Sequence, residues 1–148
     1  VSAFLLNRLP ISPFDDSAAP YSTVSGLEYF MKNVDGLRFT FDTGNFAYSL
    51  ESASEAYDRL NDNLNIHVKD RSYDISRRNS DDSNGKADLS GRIMYPCESG
   101  GGYIGIEDII KKAVNDGYDG YLAVEHFGAA DQLLYMKRSA ENLRSYLK

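Results

Sequence analysis

Four short apolar runs, near residues 3–6, 37–42, 65–69 and 121–125, alternate with segments of helical periodicity, and this alternation constrains the fold more than any other feature. It predicts parallel strands joined by helical crossovers, because a parallel pair needs a long connection and a helix supplies one. The first helix is expected over residues 24–34, where Leu27, Phe30, Met31 and Val34 recur at helical spacing. Ser52 and Glu55 form a capping-box pattern that opens the second. The third is expected over about 106–115, stopped at Gly117, and the last over about 131–147. Residues 72–93 break the rhythm. Rich in Ser, Asp, Asn and Arg, they read as a flexible loop beside an active site or as an insertion. With 148 residues, the chain is expected to form a single α/β domain over 1–148 around one core.

Strand parity adds a site to this frame. Side chains alternate faces along a strand. Leu37, Phe39 and Phe41 share one face of the second run, and Arg38, Thr40 and Asp42 the other. Ile66 and Val68 oppose Asn65, His67 and Lys69; Leu122 and Val124 oppose Tyr121, Ala123 and Glu125; Phe4 and Leu6 oppose Ala3, Leu5 and Asn7. Each strand then offers an apolar face to helices, while the opposite face turns polar at its C-terminal end, as in a TIM barrel. Three runs stop on metal-competent side chains: Asp42 in FDTGN, His67 in IHVKDR and Glu125 in LAVEHF. Two carboxylates and an imidazole converging from strand ends can hold one divalent cation.

Each of these residues also has a plainer reading. DTGN is good turn chemistry, so Asp42 can cap a turn. His67 can be a hydrogen-bonded strand histidine. Glu125, ending a buried strand, needs a metal or a cation such as Lys69 beside it. His126 has the opposite parity and is expected to face the helices. Gly100, Gly101 and Gly102 precede a helix as a phosphate-cradling turn would, but no Lys-Ser/Thr follows, so a P-loop is not supported. Lys69, Asp70 and Arg71 could orient substrate or contact a phosphate, and Asp70 reads at least as well as a surface ion pair.

The net charge of -6 and pI near 4.8 argue against a nucleic-acid surface. No apolar run reaches the length of a membrane span. The single Cys97 excludes an internal disulfide framework and fits a cytoplasmic protein.

Taken in order, FDTGN, HVKDR, GGGYIGIEDII, GYDGYLAVEHF and the last helix resemble the xylose-isomerase-like TIM-barrel superfamily, which includes the sugar phosphate isomerase/epimerase family. The resemblance covers nearly the whole chain and implies about four of eight (β/α) units of a TIM barrel, its C-terminal half. It implies one divalent metal ion (manganese, magnesium, cobalt or zinc) held by Asp42, His67 and Glu125, with Glu125 also the catalytic acid/base. The fourth ligand of that family is a glutamate, and Asn7 stands at its position. An amide can coordinate but cannot accept a catalytic proton near pH 7. Asp15 or Asp16 could substitute for it. Substrate contacts are expected from Lys69, Arg71 and Asn45. The substrate implied is a small sugar or sugar phosphate, and the partner a second copy of the chain or an N-terminal half-barrel chain.

Two further readings stand beside an isomerase. One is a non-catalytic or partner-dependent subunit of such a barrel. The other is a metal-dependent apurinic-site DNA endonuclease, which resembles the chain in its Asp-Thr-x-His stretch. Against the latter, Asn45 occupies the histidine position, and no Asp-x-His pair follows between residues 72 and 96.

Overall fold

The computed structural model describes residues 10–11, 18–61 and 63–148. The strand expected over residues 3–6, together with Asn7, Asp15 and Asp16, lies outside the described residues. The elements are β1 (Pro10–Ile11), α1 (Val24–Asn33), β2 (Arg38–Asp42), α2 (Ala53–Arg59), β3 (Asn63–Val68), β4 (Asp70–Ser72), β5 (Lys86–Ala87), β6 (Ile93–Cys97), α3 (Ile106–Asn115), β7 (Leu122–Val124) and α4 (Gln132–Tyr146). A main sheet runs in the order β1-β2-β3-β7, every neighbouring pair parallel. This is the α/β arrangement that the alternation predicts.

Local chemistry sets the helix starts. Thr23, Ser52 and Asp131 cap α1, α2 and α4, their side chains accepting from the amides of Gly26, Glu55 and Leu134. Ser52 thus supplies the N-cap half of the capping-box pattern. α3 starts instead from Gly105, whose φ of 75° is a left-handed conformation that favours glycine.

The helices cover one face of the sheet. Phe39, Phe41, Ile66 and Val68 are wholly buried there with Leu27, Tyr57, Ile109 and Ile110. Phe41 is central: its ring centroid lies 5.8 Å from that of Phe39, 5.3 Å from Phe46 and 5.5 Å from Tyr57. Burying each such ring contributes about 2–3 kcal/mol. The opposite parity of the same strands carries Asp42 and His67, which are direct register partners on β2 and β3. Among the described residues no strand pairs with the outer edge of β7. Tyr121 just before β7 and Phe127 just after it are each more than four-fifths exposed.

Residues 72–93, expected as a flexible loop or insertion, contribute to a second sheet that the sequence reading missed. It is antiparallel, in the order β4-β6-β5, with Arg71 opposite Pro96 and Lys86 opposite Met94. Its strands are too short for a two-residue period to emerge, and the turns between them are held by polar side chains. Asn84 bonds the backbone of Asn79 and Arg77. Asp88 accepts from the Ser90 hydroxyl at 2.6 Å, the Ser90 and Arg92 amides at 2.8 and 3.1 Å, and the Tyr73 hydroxyl at 2.8 Å.

These donors have a measurable consequence. Led by the Ser90 hydroxyl, they outweigh burial and hold the Asp88 carboxyl down at about 2. A carboxyl depressed in the folded state stabilises fully above its unfolded value, and that stability is lost as pH falls through the folded one. Asp88→Asn should therefore lower the thermal midpoint at pH 7. The gap to the unsubstituted chain should close between pH about 4 and about 2, read by circular dichroism melts.

Candidate metal centre

The site is assembled where β2, β3 and β7 end. Beyond the last ladder bond, Thr43 ties the β2 end to β3. Its amide donates to the His67 carbonyl at 3.0 Å, and its hydroxyl donates to the Lys69 carbonyl at 2.7 Å and accepts from the Lys69 amide at 2.9 Å. The Glu125 amide donates to the Val68 carbonyl at 3.2 Å, extending the β3–β7 pairing by one residue. Asp42, His67 and Glu125 are thus carried on backbone that is hydrogen-bonded from strand to strand. One ligand atom from each lies within 4.8 Å of the others.

Burial differs sharply within this set. Asp42 is 2% exposed, and its carboxylate accepts from the Gly44 amide and the Asn45 side-chain amide, each at 3.0 Å. The Glu125 side chain is 45% exposed and that of His67 34%. Lys69, itself buried, lies between the two carboxylates: its Nζ is 2.7 Å from Asp42 Oδ2 and 2.7 Å from Glu125 Oε2. His67 Nδ1 lies 3.8 Å from Glu125 Oε2.

The electrostatics follow from this arrangement. Burial pushes the Asp42 carboxyl above its ordinary range, against the pull of the Lys69 ammonium. Burial also works against the charge of Lys69, but Asp42 and Glu125 more than offset it and raise its pKa. For the more exposed Glu125, burial is outweighed by Lys69, His67 and Arg71, and its carboxyl sits below the usual value. The donor set fits a divalent cation: two carboxylates, one imidazole, and separations that a single ion can bridge.

The other residues singled out in the sequence have varied surroundings. Asn45 touches Asp42 and, at 3.4 Å through Oδ1, the Lys69 ammonium. Arg71 is 5% exposed with its guanidinium carbon 5.5 Å from the centroid of Tyr48, and its Nε has no hydrogen-bond partner among the described residues. His126 faces the helices: its Nε2 is 2.8 Å from Ser139 Oγ and its Nδ1 3.2 Å from Met136 Sδ. Cys97 is wholly buried, and burial pushes its thiol far up, which suits no nucleophile.

Asp70 and the glycine-rich turn are bound to each other. Asp70 is no surface ion pair: it is 1% exposed. Oδ1 accepts from the amides of Arg71 and Ile104 at 2.8 and 3.3 Å, and Oδ2 from those of Gly100 and Gly102 at 2.9 and 3.0 Å. Burial raises its carboxyl and these amides pull it back. The amides that a phosphate would need at Gly100 and Gly102 are therefore already taken by a side chain of the protein. A Cβ on Gly102 would lie 2.2 Å from the Arg71 carbonyl oxygen, so the turn admits no side chain there. The structure makes this turn a clamp on the segment that carries Lys69 and Arg71.

A parallel sheet covered by helices on one face, with carboxylate and imidazole donors at the C-terminal strand ends of the other, is TIM-barrel architecture. Solved structures agree. The chain superposes on a xylose isomerase domain protein from Planctomyces limnophilus with a TM-score of 0.66 and 19% identity, covering 93% of this chain and 44% of that one. It matches a xylose isomerase-like TIM barrel protein from Mycobacterium smegmatis in complex with magnesium with a TM-score of 0.68 and 22% identity, covering 95% and 44%. A D-tagatose 3-epimerase-like protein matches with a TM-score of 0.65 and 20% identity, covering 95% and 46%. The fold is thus that of the TIM barrels it matches, and the chain spans less than half the length of each of those structures: a half-barrel. No protein-family model and no curated protein matches the sequence. Among the described residues no helix is long and apolar enough to cross a membrane.

Proposed function

We propose that the chain supplies the metal-holding wall of a sugar or sugar-phosphate isomerase or epimerase. The convergence of Asp42, His67 and Glu125 within 4.8 Å at the ends of three parallel strands carries this reading. The divalent ion that this set would hold supplies Lewis acidity toward a carbonyl and its neighbouring hydroxyl. Glu125 is the group that moves the proton. It is ionised across the neutral range and nearly half exposed, so it can take a proton from the carbon beside the carbonyl and return it. Arg71, Lys69 and Asn45 orient the substrate. A buried guanidinium nitrogen without an acceptor suits the oxyanion of a sugar acid or phosphate, which arginine reads in a planar fork. The magnesium complex and the epimerase-like protein among the structural neighbours support a hard divalent ion and a sugar substrate.

A second reading is favoured by the sheet itself. β7 has an unpaired outer edge among the described residues, and such an edge calls for another strand. The chain then acts only when a second copy or an N-terminal half-barrel chain closes the barrel and completes the ligands. Calorimetric titration with Mn²⁺, paired with sedimentation analysis, tests both. One ion per chain is expected, in an assembly larger than one chain. A monomer without affinity for the ion would sink the enzymatic reading of this chain on its own.

A further inference from the structure

We infer that Lys69 is the resident cation of this centre, and that a divalent metal binds by displacing its ammonium from between Asp42 and Glu125. The inference rests on the metal reading proposed above and names the residue that sets the affinity of that site. Its ground is the placement of Nζ, 2.7 Å from one oxygen of each carboxylate in the donor set. An ammonium and a metal ion compete for the same two carboxylates, and two cations so close repel strongly where water is scarce.

The lysine is built into the site. It is 8% exposed, and its stem packs on Gly44, where an added Cβ would lie 2.8 Å from Lys69 Cγ. Its backbone is fixed from both sides by the Thr43 hydroxyl, so the side chain alone can yield. Asn45 Oδ1, 3.4 Å from Nζ, is a further acceptor within reach. In the metal-free chain the ammonium answers a definite need. Asp42 is buried, and a buried carboxylate with no counter-charge is strongly destabilising. Lys69 thus holds the ligands together without metal and opposes metal when it arrives.

Mn²⁺ binding, followed by the electron paramagnetic resonance of the free ion, tests this in the unsubstituted chain, Lys69→Met and Lys69→Gln. Both variants should bind at least about tenfold more tightly, and Mn²⁺ should raise the thermal midpoint of Lys69→Met more than that of the unsubstituted chain. A second measurement needs no variant. Lys69 should resist reductive methylation in the metal-free chain and become labelled once Mg²⁺ saturates the site, read by mass spectrometry of the peptide. Equal or weaker Mn²⁺ binding in both variants, with the unsubstituted chain still binding, overturns the role of Lys69 and leaves the metal reading intact. Should the variants fail to fold, unchanged labelling of Lys69 at saturation overturns it as well. If neither the unsubstituted chain nor any variant binds Mn²⁺, the metal reading falls and this inference falls with it.

Discussion

Asp70→Asn is expected to cost about 3 kcal/mol or more of folding stability. Asparagine keeps one oxygen, enough for two of the four amides that Asp70 accepts from. Its NH₂ group then faces two backbone N–H groups that have lost their acceptor. Each buried donor left without a partner costs about 1–3 kcal/mol. The site is 1% exposed, so water cannot easily replace the lost oxygen. Urea denaturation measures the difference. A loss below about 1 kcal/mol would show that the turn relaxes and hydrates, and that Asp70 is not the clamp described. The effect reaches the candidate metal centre because Asp70 directly follows Lys69.

The second large effect separates ligation from stability within the metal set. Asp42→Asn and Glu125→Gln should each weaken Mn²⁺ binding at least about a hundredfold, since removing a ligand charge exceeds the 10- to 100-fold loss typical of an outer-shell change. Their effects on folding should differ. Asp42 is buried and its partner Lys69 is buried with it, so removing that charge leaves an under-compensated ammonium and costs about 3 kcal/mol. Glu125 is nearly half exposed, and Lys69 keeps Asp42 when it is gone, so Glu125→Gln should cost less than about 1 kcal/mol. Guanidinium unfolding in the presence of a chelator, with Mn²⁺ binding measured in parallel, checks both halves. Retained Mn²⁺ affinity in Asp42→Asn would remove Asp42 from the ligand set. Equal destabilisation by the two variants would mean that Glu125 is a structural ion-pair partner first.

Parts of this architecture were written in local patterns. Phe39, Phe41, Ile66 and Val68 stand at alternate positions, and all four are wholly buried beneath the helices. Asp42 and His67 share the opposite parity, and the parallel register places them side by side. Ser52 caps its helix through the amide three residues on, as its spacing with Glu55 indicated. Such features depend on periods of two and 3.6 residues, which a chain displays without being folded.

Other features had no local signal. The small antiparallel sheet is built from strands of two to five residues, too short for alternation to stand out from a polar loop. Three of the four amides on Asp70 lie 30 to 34 residues downstream, so its sequence neighbours suggested a substrate contact or a surface ion pair and not this clamp.

The sequence by itself determined that strands alternate with helices, which face of each strand is apolar, and which strand ends carry Asp42, His67 and Glu125. The tertiary structure alone decided what fills the space between those residues. Lys69 reaches Asp42 across 27 residues and Glu125 across a strand pairing, and the Gly100–Gly102 amides close on Asp70. Register between strands distant in sequence sets such contacts, and the energy of a buried charge depends on which counter-charge that register delivers.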